Sequence, residues 1–179
     1  MGGMVIWVTG LSGAGKTTLC QALQHMLKPR LPELALLDGD QVRAALSGDL
    51  GFSEKDRLLH IQRIQNLAKL LSDQGLVVLV AALYSNPELL QWNRRNFQEY
   101  FEIYVKTSLE TLRRRDGKKL YARAFSVEIK DVVGVDIPWS EPAHPDMVIN
   151  NNEPEPPEVL ARRVIAELPR LARLGLEVG

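Results

Sequence analysis

Short apolar runs alternate with amphipathic segments along the 179 residues of this chain. The apolar runs predict five β-strands, over residues 5–9, 34–37, 76–82, 101–105 and 147–149. The run Val77-Val78-Leu79-Val80 has no polar alternation, which is typical of a strand that is buried on both faces. Because the strands alternate with helices, we expect a parallel sheet that is covered by helices on both faces.

Apolar residues at helical spacing predict six helices, over residues 16–27, 41–46, 54–74, 88–100, 109–115 and 157–173. The third helix has one apolar stripe, made of Ile61, Ile64, Leu67, Ala68 and Leu71. Gly75 follows this helix and is expected to form its C-terminal cap. The pattern shows no internal repeat and no second-domain boundary, so one domain is predicted over residues 1–179.

The segment from Gly10 to Thr17 reads GLSGAGKT and matches the phosphate-binding pattern G-x-x-x-x-G-K-[ST] in full. A strand before it and a helix after it direct backbone N–H groups and the positive helix end toward a phosphate. Lys16 would reach the β- and γ-phosphates, and the Thr17 hydroxyl would ligate Mg²⁺. The motif therefore predicts a P-loop NTPase fold of the α/β class. The predicted nucleotide-binding residues are Gly10, Ser12, Gly13, Ala14, Gly15, Lys16, Thr17 and Thr18.

Two carboxylates, Asp38 and Asp40, follow the second predicted strand. Open α/β sheets bind ligands at the carboxyl ends of their strands. One carboxylate could support Mg²⁺, and the other could accept the proton of an attacking hydroxyl. Asp38 is the preferred catalytic candidate, whereas Asp40 could take part in catalysis, cap the next helix, or do both.

Basic and aromatic residues follow these carboxylates and suggest a second ligand. Arg43, Arg57 and Arg63 carry planar guanidinium groups that suit phosphate or sulfate, so this set is expected to include an acceptor-binding group. Phe52 could stack on a base or pack into the core, and His60 could contact the substrate from the face near Arg57.

Region 116–145 interrupts the alternation, because it contains no convincing long strand or helix. A long irregular segment in a compact domain is usually functional or disordered. The basic run 113–119 just before and at its start could be a charged helix end, or it could reach the nucleotide. We therefore expect a lid over about residues 116–145 that closes on the phosphates, rather than a plain surface excursion.

The amino-acid composition argues against several classes of protein. The chain has 22 Lys plus Arg and 22 Asp plus Glu, and this balance argues against a general nucleic-acid or membrane binder. The single cysteine, Cys20, excludes an intrachain disulfide and is expected to be a packed side chain. With no basic n-region before the first strand and no apolar run long enough to span a bilayer, a cytoplasmic protein is expected.

Several motifs beyond the phosphate loop resemble the adenylylsulfate kinase family. They occur in the family's order from the N-terminus to about residue 149. The motifs are IWVTGLSGAGKT (6–17), LDGDQVR (37–43), LGFS (50–53) with Asp56-Arg57, RDGKKLY (115–121) and GVDIPW (134–139).

The resemblance implies transfer of the γ-phosphate of ATP to the ribose 3′-hydroxyl of adenosine 5′-phosphosulfate (APS). It also implies Mg²⁺ as cofactor, a small-molecule nucleotide as partner, and a possible homodimer. Position by position, it implies that Gly13, Gly15, Lys16 and Thr17 hold ATP and Mg²⁺ and that Asp38 and Asp40 serve the metal and the acceptor hydroxyl. Arg43, Phe52 and Arg57 would bind the acceptor, Arg115, Lys118 and Leu120 would belong to the lid and the ATP side, and Lys119 would contact substrate.

Departures from the family pattern concentrate on the acceptor side. His60 stands where the family usually has asparagine, and Trp139 replaces a tyrosine. The family's Phe-Ile-Ser-Pro segment reads Ala82 to Pro87 here, so that Tyr84 falls at the serine position unless Ser85 takes over by a one-residue shift. An arginine expected near Pro87 is missing, although Arg94 and Arg95 follow.

These departures leave two alternatives beside APS phosphorylation. The acceptor could be another nucleotide or a nucleotide-activated small molecule. A nucleotide-dependent switch is a less favoured alternative, since the chain lacks the Asn-Lys-x-Asp motif that reads guanine.

Overall fold

A computed structural model describes residues 2–116 and 119–174. In these ranges five strands form one parallel sheet, in the spatial order β2-β3-β1-β4-β5. The strands are β1 (Met4–Thr9), β2 (Leu34–Asp38), β3 (Val77–Ala82), β4 (Tyr100–Lys106) and β5 (Met147–Asn150). The predicted five-stranded parallel sheet is confirmed.

The centre of the sheet determines where a ligand can bind. Every residue of β1 and β3 is buried, which explains their continuous apolar sequences. Thr9, the last residue of β1, is paired with Ala82 of β3 and Tyr104 of β4. The loop after β1 therefore leaves the middle of the carboxyl edge, between the ends of β3 and β4.

Helices cover both faces of this sheet. The helix α1 packs with α7 on β1, β2 and β3, whereas α3 packs on β1 and β3 together with α2 and α4. The helices in the described ranges are α1 (Lys16–Leu27), α2 (Gly39–Leu46), α3 (Glu54–Asp73), α4 (Pro87–Asn96), α5 (Leu109–Arg114), α6 (Leu120–Phe125), α7 (Pro157–Glu167) and α8 (Pro169–Ala172).

Two helix predictions extended too far. The helix expected over 88–100 ends at Asn96, because Phe97 is extended and the chain enters β4 at Tyr100. The helix expected over 157–173 is divided at Leu168, which has φ −105° and ψ 100°. Pro169 follows it and disfavours the helical conformation of the residue before it.

The end of α3 and the environment of the cysteine are as expected. Gly75 has φ 89°, its N–H donates to Ser72 O over 2.9 Å, and it stands just after the helix as a C-terminal cap. Cys20 is fully buried in α1, and burial raises the pKa of its thiol. It is therefore a packed side chain.

Region 116–145 contains short, locally hydrogen-bonded structure in its described part. The six-residue helix α6 is followed by a turn in which Gly134 N donates to Ile137 O over 2.8 Å. The Asp136 carboxylate accepts hydrogen bonds from the backbone N–H groups of Asp131 (2.7 Å) and Val132 (2.6 Å). Across residues 2–116 and 119–174, no helix is long and apolar enough to cross a bilayer.

Candidate active site

The loop after β1 has the backbone that a phosphate cradle requires. Gly10 has φ 155°, and a Cβ at this residue would lie 2.4 Å from Val105 O on the neighbouring strand. Gly15 has φ 104°, and a Cβ there would lie 2.8 Å from Asn151 Nδ2. Both positions therefore require glycine, and the loop bends tightly over the first turn of α1.

Lys16 is the buried cation of this loop. It is 9% exposed, and Nζ donates to Leu11 O over 2.7 Å, so its hydrogen-bond partner is a carbonyl rather than a carboxylate. Burial lowers the pKa of Lys16 to about 8, although Asp40, Cys20 and Asp38 oppose that shift. An anionic ligand in the loop would relieve the cost of burying this ammonium group.

Thr17 and Asp38 meet at the carboxyl edge of the sheet. Thr17 Oγ1 donates to Asp38 Oδ2 over 2.6 Å. Asp38 Oδ1 accepts from the N–H groups of Asp40 (3.0 Å) and Gln41 (3.3 Å), so Asp38 caps α2. The alternative in which Asp40 is the cap is therefore wrong, because the cap is the residue at the end of β2.

Asp40 is exposed on the first turn of α2, beside this pair. Its charge acts on two of the predicted site cations, since it opposes the lowering of the pKa of both Lys16 and Arg43 by burial. The structure thus brings Asp38, Asp40, Lys16 and Thr17 together. A hydroxyl and two carboxylates supply the hard oxygen ligands that Mg²⁺ prefers.

A second cluster lies on residues 51–57, here called the 51–57 arm. Phe52 is 58% exposed, and its ring centroid lies 5.0 Å from the guanidinium carbon of Arg43 and 5.6 Å from that of Arg57. Phe52 is therefore available for stacking and is not a core residue. Arg43 Nη1 donates to Gly51 O over 2.8 Å, and Arg57 Nη2 donates to Asp131 O over 2.6 Å. The predicted acceptor residues Arg43, Phe52 and Arg57 are thus neighbours.

His60 does not join this exposed cluster. It is 6% exposed, and its ring nitrogens face Ser47 Oγ (3.1 Å) and Gly39 O (3.0 Å). Nε2–H donates to the Gly39 carbonyl, which leaves Nδ1 to accept from the serine hydroxyl. The expectation that His60 contacts substrate is corrected accordingly: this side chain connects α3 to both ends of α2.

Tyr84 and Ser85 follow β3, and both are buried. Tyr84 OH donates to Glu54 Oε1 over 2.8 Å, so the hydroxyl of Tyr84 already has a partner. Ser85 is 2% exposed, and its hydroxyl has no hydrogen-bond partner in the described part of the chain. The two candidates for the family's serine therefore differ in what their hydroxyls can still bind.

The remaining candidates that the structure describes come after β4 in the chain. Arg115 donates to the carbonyls of Asn151, over 2.7 Å, and Asn152. Lys119 is exposed with φ 53°, and Leu120 begins α6. Lys118 lies outside the described residues.

Two contacts to the loop were not predicted. Asn151 Nδ2 donates to Ala14 O over 2.8 Å, and Tyr121 OH donates to Ser12 O over 2.8 Å. Asn151 comes directly after β5, so its position at the carboxyl end of a strand was a usable signal. Tyr121 has no such signal, because its role depends on how α6 folds back onto the loop.

A triphosphate cradle, an adjacent oxygen-ligand pair and a separate aromatic–arginine cluster define a kinase of the P-loop class. Comparison with known proteins agrees with this class. A family model described as adenylylsulphate kinase matches residues 2–150. The adenylyl-sulfate kinase of Vibrio cholerae is 43% identical over 160 residues, which are 88% of this chain and 74% of that relative. The chain belongs to the adenylylsulphate kinase family.

Two further similarities bear on the substrates. The structure of the Mycobacterium tuberculosis APS kinase in complex with AMPPNP and APS matches at 34% identity with a TM-score of 0.84, over 93% of this chain and 97% of that one. The cytidine diphosphoramidate kinase of Campylobacter jejuni is 40% identical over 148 residues, 83% of this chain and 86% of that relative. The chain spans 29% and 26% of two longer, bifunctional relatives.

Proposed function

We propose that this protein transfers the γ-phosphate of ATP to the 3′-hydroxyl of APS, which yields ADP and 3′-phosphoadenylyl sulfate. The observation that carries the proposal is the pairing of Thr17 with Asp38 at 2.6 Å, between the phosphate loop and the Phe52 cluster. The adenylyl-sulfate kinase relatives support this activity, and they favour an enzyme over a nucleotide-dependent switch.

The donor nucleotide binds across residues 10–17. Backbone N–H groups of the loop hold the phosphates, and Lys16 Nζ turns from Leu11 O toward the β- and γ-phosphates. Arg115 and Leu120 would belong to the lid and the ATP side, as would Lys118, which lies outside the described residues. Asn151 donates to Ala14 O and stabilises the conformation of the loop.

Mg²⁺ fits the oxygen ligands of this site, and Thr17 Oγ1 and Asp38 are the groups that would hold it. When bound, it supplies charge neutralisation for the transferred phosphate. Asp38 orients Thr17 and the start of α2 through its three hydrogen bonds. The exposed carboxylate of Asp40 is placed to accept the proton of the acceptor hydroxyl.

The acceptor binds on the 51–57 arm. The exposed ring of Phe52 stacks on the base, and the guanidinium groups of Arg43 and Arg57 bind its anionic groups. Ser85 and Lys119 are further acceptor-side groups in this proposal. The acceptor and donor therefore approach the γ-phosphate from opposite sides of β1.

A second candidate acceptor is a cytidine diphosphate derivative. The cytidine diphosphoramidate kinase relative is 40% identical to this chain, within the 36–43% range of the adenylyl-sulfate kinase relatives. The departure from the family pattern at Tyr84 also favours testing it. The chemistry at Asp38 and Lys16 would be the same with either acceptor.

Identification of the product tests the proposed function. The protein is incubated with ATP, Mg²⁺ and APS, and mass spectrometry and phosphorus NMR locate the new phosphate. We expect an ATP-dependent product with phosphate on the ribose 3′-oxygen, and no product with Lys16→Ala, which removes the buried cation. A homodimer and a cytoplasmic location stay predictions. Light scattering tests the dimer, which has twice the mass of one chain.

A further inference from the structure

We propose that Tyr84 is a positioning residue for the acceptor, because its hydrogen bond to Glu54 fixes the 51–57 arm to the central sheet. This inference rests on the proposed function and adds a residue to it. The bond joins Tyr84 OH to Glu54 Oε1 over 2.8 Å.

The two ends of this bond differ in how firmly they are held. Tyr84 is 6% exposed and lies two residues beyond β3, whose last residue pairs with Thr9 just before the phosphate loop. Gly51, Phe52, Glu54 and the next residue of the arm are all exposed. Ser53 caps α3 and Glu54 begins it, so the helix holds one end of the arm. The bond from Tyr84 adds a contact between this exposed helix start and the rigid end of β3.

Ser53 and Asp56 bond to each other within the arm, whereas two side-chain bonds between the arm and other segments use the groups proposed to bind the acceptor. Arg43 Nη1 donates to Gly51 O, and Arg57 Nη2 donates to Asp131 O. When these guanidinium groups turn toward the anionic groups of an acceptor, their contacts with the protein weaken. The bond from Tyr84 to Glu54 uses neither guanidinium group, so it can hold the arm in place while the acceptor is bound.

Tyr84 also lies within electrostatic range of the acceptor cluster. The Arg57 charge acts on the pKa of Tyr84 and opposes the effect of burial. Burial and the bond to Glu54 raise the pKa of Tyr84 to about 12, so the phenol stays a hydrogen-bond donor at neutral pH. Ser85 does not make this contact, because its hydroxyl is buried without a hydrogen-bond partner in the described part of the chain.

Tyr84→Phe removes the hydroxyl and keeps the buried ring. We expect KM for APS to rise about tenfold, because a hydrogen bond to a carboxylate is lost, with kcat and KM for ATP within about twofold of the wild type. Glu54→Ala should raise KM equally, and Glu54→Gln should restore it, since the amide oxygen still accepts the bond. The double variant Tyr84→Phe/Glu54→Ala should be no worse than either single variant.

Tyr100→Phe is the matched control, because it deletes a tyrosine hydroxyl that donates to Glu102, at the end of β4 opposite the phosphate loop. It should leave KM for APS unchanged. If Tyr84→Phe does not fold, Glu54→Ala at an exposed position gives the same test. An unchanged KM in active Tyr84→Phe and Glu54→Ala, or an equal rise in both KM values, would overturn the positioning role alone. Absence of any APS turnover in the wild type would overturn the proposed function, and this inference with it.

Discussion

At the scale of single residues, the geometry of the proposed reaction centre depends on the hydrogen bonds that hold the Asp38 carboxylate. Its two oxygens accept three hydrogen bonds, one from Thr17 and two from the backbone at the start of α2. A carboxylate held in this way stays at one position relative to the phosphate loop. Small changes at this residue should therefore reduce the rate of phosphate transfer more than the affinity for the whole nucleotide.

Asp38→Asn tests this role. The variant keeps the shape of the side chain but loses the charge and one acceptor, so we expect kcat to fall by about 10²-fold with the dissociation constant for ATP within about threefold. Steady-state kinetics and calorimetric titration of an unhydrolysable ATP analogue measure the two effects. Asp49→Asn, an exposed residue paired with Arg63, is the control and should keep the full rate. A full rate in Asp38→Asn would remove Asp38 from the mechanism.

Residues whose function is local in sequence could be predicted, and residues that act through distant partners could not. The phosphate loop, Asp38 and Phe52 carry their meaning in a short motif. The role of His60 is not visible in a short motif, because its two hydrogen-bond partners lie 13 and 21 residues away in the sequence. These partners come near His60 only when α2 packs on α3. Asn151 contacts the carbonyl of Ala14, 137 residues earlier in the chain.

At the scale of elements, β4 contains a buried acid at the end opposite the phosphate loop. Glu102 is 1% exposed and accepts from Tyr100 OH over 2.8 Å, and its carboxylate lies 3.7 Å from Arg94. Burial raises the pKa of Glu102, a shift that the bond from Tyr100 and the charge of Arg94 oppose. The folded state therefore favours the protonated acid more strongly than the unfolded chain does.

The sign of the resulting pH dependence follows from this shift. With a folded pKa above the unfolded value of about 4.3, the contribution of Glu102 to stability is present at low pH and is lost as pH rises through the folded pKa. We therefore expect the stability of the wild type relative to Glu102→Gln to fall as pH rises from about 4. Urea unfolding of both proteins at a series of pH values measures the difference. A difference that is constant or grows with pH would contradict the assignment.

The boundaries of helices and strands could likewise be predicted where the signal is local in sequence, and could not where it depends on a distant partner. The end of α3 at Gly75 is a local signal and was predicted, and Pro169 was a local signal that should have divided the last helix. The end of α4 has no such marker. Tyr100 belongs to β4 because it pairs with Val5 across the sheet, and this pairing is not visible in the sequence around it.

At the scale of the whole molecule, the strand order separates the two substrates. Apart from Lys119, the residues proposed for the acceptor follow β2 and β3, and the residues proposed for the ATP side follow β4 and β5. The phosphate loop follows β1 between them. The alternation of strands and helices was sufficient to predict a parallel sheet. The order of the strands depends on pairing between distant segments, so the placement of the two substrates on opposite sides of β1 became visible only in the structure.

The lid predicted over about residues 116–145 has contacts with two separate parts of the fold. Tyr121 links α6 to the phosphate loop, and Asp131 links the same region to Arg57. We expect a bound ATP analogue to slow amide hydrogen exchange in residues 119–136 by at least about threefold, with no slowing in Lys16→Ala. Exchange that is the same with and without nucleotide would show that this region is not a lid.

The most direct test of the central claim is ADP release in a panel of acceptors. Each reaction contains ATP and Mg²⁺ with APS, a cytidine diphosphate derivative, or no acceptor. The account predicts that APS gives the highest kcat/KM and that release without acceptor is negligible. No release above the acceptor-free control with APS would contradict it, and a higher kcat/KM for the cytidine derivative would assign the same chemistry to another substrate.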